Sequence, residues 1–495
     1  MKRCGRAVVQ VGLAGAGALF LLGPNQPMPA WAQSYAAAQK AAGKPDTSVI
    51  GVPRTLNEAL AATYSYQPAL QAERAKLRAT DENIPQALAG WRPTVILGGG
   101  IGYGNGLNRA YSFLTGENSK SPLQRDVGQA SLTITQPVYT GGKVQANVNH
   151  AKNQDMAERA NLIVQEETSF TNAVNAYVGV IQDQQLLALN INNEQVLTKQ
   201  LQATNDRFRV GEITRTDVAQ AEAALAGAVA QREVAAGTLQ TARATYLQVI
   251  GFPAPDNLLE PQPLRVPAKT EQEISALAAA NNPQVIGALF TNAAAKDAID
   301  VAFAALMPQV NLQGQLFQQN NTGAPASQSN GYLVTANVSM PIYQGGSEYS
   351  AVRQARQSQE QASREVADAK RTAVQTAVAA WQTLVAARAA AESTRVQIRA
   401  NEVALEGVER EAIVGSRTTL DVLNAQQALL TSQTTLVQAL AQLVTASYNV
   451  ASAIGRLTAR DLNLPVPMYD DTAYYNAVKN KWFGLGDYAT DQPGR

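Results

Sequence analysis

The chain has one cysteine and one histidine in 495 residues. Cys4 stands ahead of an apolar stretch near the start, so everything after it lacks a thiol, a disulfide and a cysteine metal site. His150 has neither a second histidine nor a later cysteine to join it, which argues against a histidine-based metal centre or catalytic triad. Charge is scarce as well: 16% of residues are Asp, Glu, Lys or Arg, against about 25% in ordinary globular chains. The formal net charge is only +1, which gives no electrostatic reason to bind nucleic acid. Beyond residue 22 no apolar run is long enough for a membrane-spanning helix, so insertion into a membrane would have to be by strands. Proline is missing from Val138 to Phe252 and again from Ile342 to Leu464. Runs of that length without proline favour long helices.

Residues 1–32 have the pattern of a secretory signal. Lys2, Arg3 and Arg6 form the basic region, Val8 to Leu22 the apolar region, and Ala30-Trp31-Ala32 the small-x-small cleavage site. Its removal would start the chain at Gln33 and take the formal charge from +1 to −2. Cys4 lies before the apolar region, unlike a lipoprotein acceptor.

The rest of the chain is one unit written twice. Gln136-Pro137-Val138-Tyr139-Thr140-Gly141-Gly142 returns as Met340-Pro341-Ile342-Tyr343-Gln344-Gly345-Gly346, an offset of 204. The same offset relates Val210-Gly211 and Asp217 to Val414-Gly415 and Asp421, and Ile250-Gly251 to Ile454-Gly455. Upstream, Pro68 matches Pro283 and Pro93 matches Pro308 at an offset of 215, so the first copy carries an 11-residue insertion between Pro93 and Pro137. This period is too long for a solenoid and indicates a duplicated domain with internal pseudo-twofold symmetry.

Each unit combines two kinds of sequence. Phe170, Val174, Tyr177 and Ile181, with Val374, Val378, Trp381 and Val385 as their partners, are spaced 4, 3, 4 like a coiled-coil seam. Lys143 to Arg209 and Ser347 to Ile413 each predict one helix of 67 residues, roughly 100 Å long at ~1.5 Å per residue. A glycine turn and a second helix follow each. Ahead of each long helix, apolar residues alternate with small or polar ones. In the first copy Val95, Leu97, Ile101 and Tyr103 share a face opposite Gly98 and Gly100, and Leu132, Ile134 and Val138 alternate with Ser131, Thr133 and Thr135. In the second, Val310, Leu312, Gly314 and Leu316 alternate with Asn311, Gln313 and Gln315, and Tyr332, Val334, Ala336, Val338 and Met340 alternate with Thr335, Asn337 and Ser339.

The expected layout has a first unit over 33–252, with helices at about 68–90, 143–209 and 216–250 and strands at about 92–105 and 126–139. A proline-rich linker over 253–270 leads to a second unit over 271–457, with helices at about 283–306, 347–413 and 420–454 and strands at about 308–319 and 331–343. A tail over 458–495 ends the chain. The Asn-, Gly- and Ser-rich segments Asn105 to Asp126 and Gln319 to Gly331 read as exposed loops. Strands of about ten residues with one apolar face suit a membrane barrel. Four strands cannot close one, so a spanning chain must oligomerise; a soluble sheet with one buried face is the alternative on pattern alone.

Strand pair, long helix, glycine turn and helix, written twice behind a signal, resemble the TolC family of bacterial outer-membrane channel proteins. The most specific marks are the two Pro-x-Tyr-x-Gly-Gly joins quoted above and Val414-Gly415-Ser416-Arg417-Thr418-Thr419-Leu420-Asp421 at the second turn. The ending, from Tyr469-Asp470-Asp471-Thr472 to Lys481-Trp482-Phe483-Gly484, is similar to the type I secretion branch. The resemblance implies a mainly α fold with a transmembrane β part: a homotrimer closing a 12-stranded outer-membrane barrel above a periplasmic α-barrel. It implies a passive exit duct of a tripartite efflux or type I secretion system. The expected partners are outer-membrane lipid, a periplasmic adaptor protein and an inner-membrane ABC or RND transporter, with no cofactor and no enzymatic activity.

The same resemblance points to site residues at the turns. Asp421 and Asn424 share a helix face and correspond to the periplasmic gate, where three aspartates on one axis would focus negative potential. Arg417, Thr216 and Asp217 are expected to link neighbouring hairpins at that gate. Thr214-x-x-Asp217 and Thr418-x-x-Asp421 also fit a helix capping box, which would place both aspartates structurally. Asn424 and Ala412 depart from the family's acidic and aromatic residues there. Val210, Gly211, Val414 and Gly415 are the expected adaptor-docking tips. A trimeric coiled-coil adhesin or envelope spacer would share the helices but would need neither the strand pairs nor acidic tips.

Overall fold

The computed structural model describes residues 52–486 except 112, 115, 269 and 323–325, so the expected signal over 1–32 lies outside the described residues. Among the described residues the chain forms ten α-helices and four strands. In the first copy, α1 (Leu56–Tyr66), α2 (Pro68–Asp81) and α3 (Asn83–Leu88) lead to β1 (Thr94–Tyr111) and β2 (Asn118–Tyr139), then α4 (Lys143–Arg209) and α5 (Arg215–Ile250). The second copy comprises α6 (Glu271–Asn281), α7 (Pro283–Ala304), β3 (Gln309–Asn320), β4 (Gln328–Ser339), α8 (Ser347–Ile413) and α9 (Thr419–Ala453). Helix α10 (Ala473–Val478) lies in the tail.

Local chemistry sets these boundaries. Gly142 and Gly346, at φ 87° and 84°, turn the chain from strand into the long helices. Thr55, Thr214, Thr270 and Thr418 cap the helices that follow them through their side-chain oxygens. The helix expected over 68–90 is instead broken after Asp81, since Pro85 has no amide to donate and its ring crowds the carbonyl four residues back. A short 3-10 turn, Ala89–Trp91, finishes that segment.

The strands make one antiparallel sheet in the order β1-β2-β3-β4. Its register places Val95, Leu97, Ile101, Leu132, Ile134, Leu312, Leu316, Tyr332, Val334 and Val338 on one face. Thr133, Gln129, Ser131, Gln313, Gln315, Asn337 and Thr335 lie on the other. The expected loop over 105–126 is corrected: cross-strand pairing runs up to Tyr111 opposite Asn118. The extra residues of the first copy extend the ladder, and ladder hydrogen bonds override the weak strand propensity of Gly, Asn and Ser. In the second strand pair β3 ends at Asn320 and β4 begins at Gln328, and β4 stops at Ser339 rather than near 343. At Val138 a bulge interrupts the β2–β3 register, beside Pro137, which cannot donate to the ladder.

Below the sheet α4 packs against α5 and α9, and α8 against α9. Nearer the strands α7 fills the groove between α4 and α8, while α2 lies on α4. The main core sits midway along, where Leu60, Phe170, Val174, Tyr177, Tyr246 and Leu457 are fully buried. Tyr177 fastens the segments wrapped around this girdle, its hydroxyl lying 2.7 Å from the Arg54 carbonyl and 2.8 Å from the Leu259 carbonyl. The tail is held there too: the Tyr469 amide donates to the Tyr64 hydroxyl at 3.0 Å, and Arg74 lies between the rings of Tyr64 and Tyr469. The seam expected in the second copy is displaced by one residue. Ala373, Ala377 and Leu384 are buried, Val374, Val378 and Trp381 only half-buried, and Val385 exposed. Small alanines let α9 approach α8 closely and turn the larger residues outward.

Candidate functional site

The two helical hairpins end in turns of the same backbone design. Val210 closes α4, Gly211 takes φ 79°, and its amide donates to the Phe208 carbonyl at 2.9 Å. Val414 closes α8, Gly415 takes φ 81°, and its amide donates to the Ala412 carbonyl at 3.2 Å. Only glycine adopts this conformation without steric cost, which is why both tips carry it. Val210 and Val414 are each 78% exposed at the hairpin turns, which therefore present apolar knobs and bare backbone.

The aspartates beside the turns are the partners of capping threonines. Asp217 Oδ2 accepts from the Thr214 amide at 2.9 Å and from its hydroxyl at 2.7 Å. Asp421 Oδ2 accepts from the Thr418 amide and hydroxyl, both at 2.9 Å. The Thr214 hydroxyl holds the Asp217 carboxyl below its ordinary pKa, with the amide helping, and the Thr418 amide does the same for Asp421, with the hydroxyl second. Both carboxylates therefore keep their charge at neutral pH. Asn424 and Thr216 are exposed and have no hydrogen-bond partner at the side chain among the described residues.

Arg417 does not reach the other hairpin within the chain. Its Nε donates to Glu411 Oε2 at 2.8 Å, inside its own hairpin, because the turn folds it back over the last turn of α8. The first hairpin has the mirror arrangement, Arg207 of α4 paired with Glu212 of the turn through Nε at 2.9 Å. Within one chain, Arg417 and Arg207 are thus each engaged in an ion pair inside their own hairpin. Arg207, Glu212 and Glu411 were not among the expected site residues. The signal for them lay in the repeat itself, since Arg207 and Glu411 occupy equivalent positions with opposite charge, as do Asp206 and Arg410.

No helix among the described residues is long and apolar enough to cross a membrane. His150 makes a structural contact, with Nδ1 2.7 Å from the Ala294 carbonyl of α7.

The family model described as "Outer membrane efflux protein" matches residues 59–251 and 274–456, one stretch for each copy of the repeat. The outer membrane efflux protein BepC of Brucella suis biovar 1 is 35% identical over 451 residues, which cover 91% of this chain and 96% of that protein. Outer membrane protein TolC of Escherichia coli is 26% identical over 419 residues, covering 80% of this chain and 81% of TolC. Among solved structures, the fold is similar to the outer membrane protein VceC of Vibrio cholerae, with TM-score 0.69 and 20% identity over 81% of this chain and 96% of VceC. It is also similar to the CmeC outer membrane channel of Campylobacter jejuni, with TM-score 0.71 and 16% identity over 86% of this chain and 89% of CmeC.

Proposed function

The chain belongs to the outer membrane efflux protein family and is an outer-membrane exit duct reaching into the periplasm, and we propose that it works as a homotrimer recruited by an inner-membrane pump. One observation carries the trimer: the strand layer and the helix layer are open at the same two sides. Strands β1 and β4 are unpaired on their outer edges, and α5 and α8 flank the lower helix array in the order α5-α4-α9-α8. An unpaired edge in hydrocarbon costs several kcal/mol per backbone group, so the sheet must close on other copies. Two copies would give eight strands, whose interior side chains fill; three give twelve and leave a lumen.

The helices support the same closure. Beyond Ile181 the only buried residues of α4 are Leu197 and Thr204, and α5 adds Val218, Ala221 and Ala228, so the lower part of the hairpin has only a sparse core of mostly small side chains. Val396 and Val403 of α8 are 59% and 71% exposed, and Val234 of α5 is 70% exposed. Arg232 meets Glu194, whose repeat partner is Ile398, so Val234 and Val396 stand at the same height on opposite flanks. Ring closure would bring them together.

In this arrangement six tips form the periplasmic mouth. Three copies of Asp421 on the narrow axis, with Asn424 beside them, would favour cations there. Val210, Gly211, Val414 and Gly415 would dock a periplasmic adaptor working with an ABC or RND transporter. The charge reversal between Arg207 and Glu411 makes alternate tips distinguishable to that partner. Detergent-extracted protein should migrate as a heat-sensitive trimer and conduct ions in a planar bilayer. A monomer that conducts nothing would refute the trimer. Cysteines replacing Val210 or Val414 should crosslink to an adaptor in cells, and labelling that finds only lipid would refute docking at the tips.

A further inference from the structure

The lumen-facing side of the strands is electrically almost blank. Strand β1 places Gly98, Gly100, Gly102, Gly104 and Gly106 on it in succession, and β3 and β4 add Gln, Asn, Ser and Thr. Across all four strands the only residue with a charge on this face is Arg125 of β2, paired opposite Gly104. Its direction is fixed, because the Asn321 side-chain amide donates to the Asp126 carbonyl at 2.9 Å and extends the ladder one residue short of it. Asp126 itself turns to the outer face with Tyr103. Arg125 forms no ion pair among the described residues, and its Nη1, shielded from solvent, has no hydrogen-bond acceptor.

From this placement we infer that Arg125 sets the ion preference of the outer mouth: three copies form a ring that attracts anionic solutes where the duct opens outward. The inference rests on the trimeric duct proposed above. A twelve-stranded wall with strands ~4.8 Å apart and tilted ~45° has a radius of roughly 13 Å. Even lying against that wall, each arginine charge is within about two screening lengths of the axis, one length being ~8 Å at 0.15 M salt. The facing glycines offer nothing to neutralise it. With anionic tips at the periplasmic end, the two mouths carry opposite fixed charge, and the current through the pore is asymmetric in voltage.

The test uses the full-length trimer in planar bilayers under a KCl gradient, comparing wild type with Arg125→Gln and Arg125→Lys. Arg125→Gln should lower the anion-to-cation permeability ratio by roughly two- to threefold at low salt and flatten the current–voltage asymmetry, with the difference fading at ~1 M salt where screening shortens to ~3 Å. Arg125→Lys should behave as wild type. Conducting trimers of Arg125→Gln with unchanged reversal potential and asymmetry would overturn the ring while leaving the duct intact. Wild-type trimers that do not conduct would overturn both.

Discussion

Gly141 and Gly345 occupy the same place in the two copies, at φ 64° and 68°, yet their surroundings differ. A Cβ on Gly141 would lie 2.4 Å from Met307 Cβ and 2.9 Å from the Ala304 carbonyl oxygen, while one on Gly345 would meet nothing within 4 Å. Alanine at either position costs about 1–2 kcal/mol for the left-handed backbone. At Gly141 overpacking against α7 should add roughly 1–3 kcal/mol. Thermal melts of the two variants should therefore separate, Gly141→Ala clearly below Gly345→Ala; equal melting would contradict the packing described. Glycine at both joins was legible from the repeat. That one is jammed against α7 was not, because Met307 lies far along the chain. The tip aspartates show the same division: the spacing Thr-x-x-Asp announced the caps, but the ion pairs of Arg207 and Arg417 depend on how tightly each turn folds back.

Among the elements, α4 carries an unusual load of buried acid at the girdle. Glu167, 5% exposed, has its carboxyl pushed up to about 8 by burial, only partly opposed by a hydrogen bond from the Leu457 backbone. Asp81 of α2, fully buried, is raised in the same direction by burial and by the neighbouring Asp155 of α4, despite Arg159 nearby. A folded-state pKa above the unfolded value makes the stabilising contribution complete below the unfolded pKa, and this contribution is lost as pH rises through the folded value. For Glu167 the window runs from 4.5 to about 8. The girdle should loosen in alkali, and Glu167→Gln should melt higher than wild type above pH ~8. Melting curves across pH would check this, and parallel curves would reject it. The sequence showed a long helix over 143–209 but not where it passes through a core. Glu167 reads as an ordinary solvated helix residue until the tail and the girdle close over it.

At the scale of the whole molecule, the seam exposed on α8 predicts how copies meet. Val396→Asp combined with Val403→Asp should prevent assembly, since burying each valine contributes about 1.5–2 kcal/mol and an unpaired carboxylate there costs more. Size-exclusion chromatography with light scattering should then show monomers, and intact trimers would place the contact elsewhere. The sequence by itself determined the duplication, the two 67-residue helices, the glycine turns and the apolar-polar alternation of the strands. All of these follow from local propensity and periodicity, which depend on neighbours in the chain. Tertiary structure decided the rest: the longer first strand pair, the displaced seam at Ala373 and Ala377, the contact of Gly141 with Met307, and the lone charge of Arg125 on the polar strand face. Each depends on contacts between segments distant in the chain or on strand register, where a one-residue shift reverses which face a side chain takes.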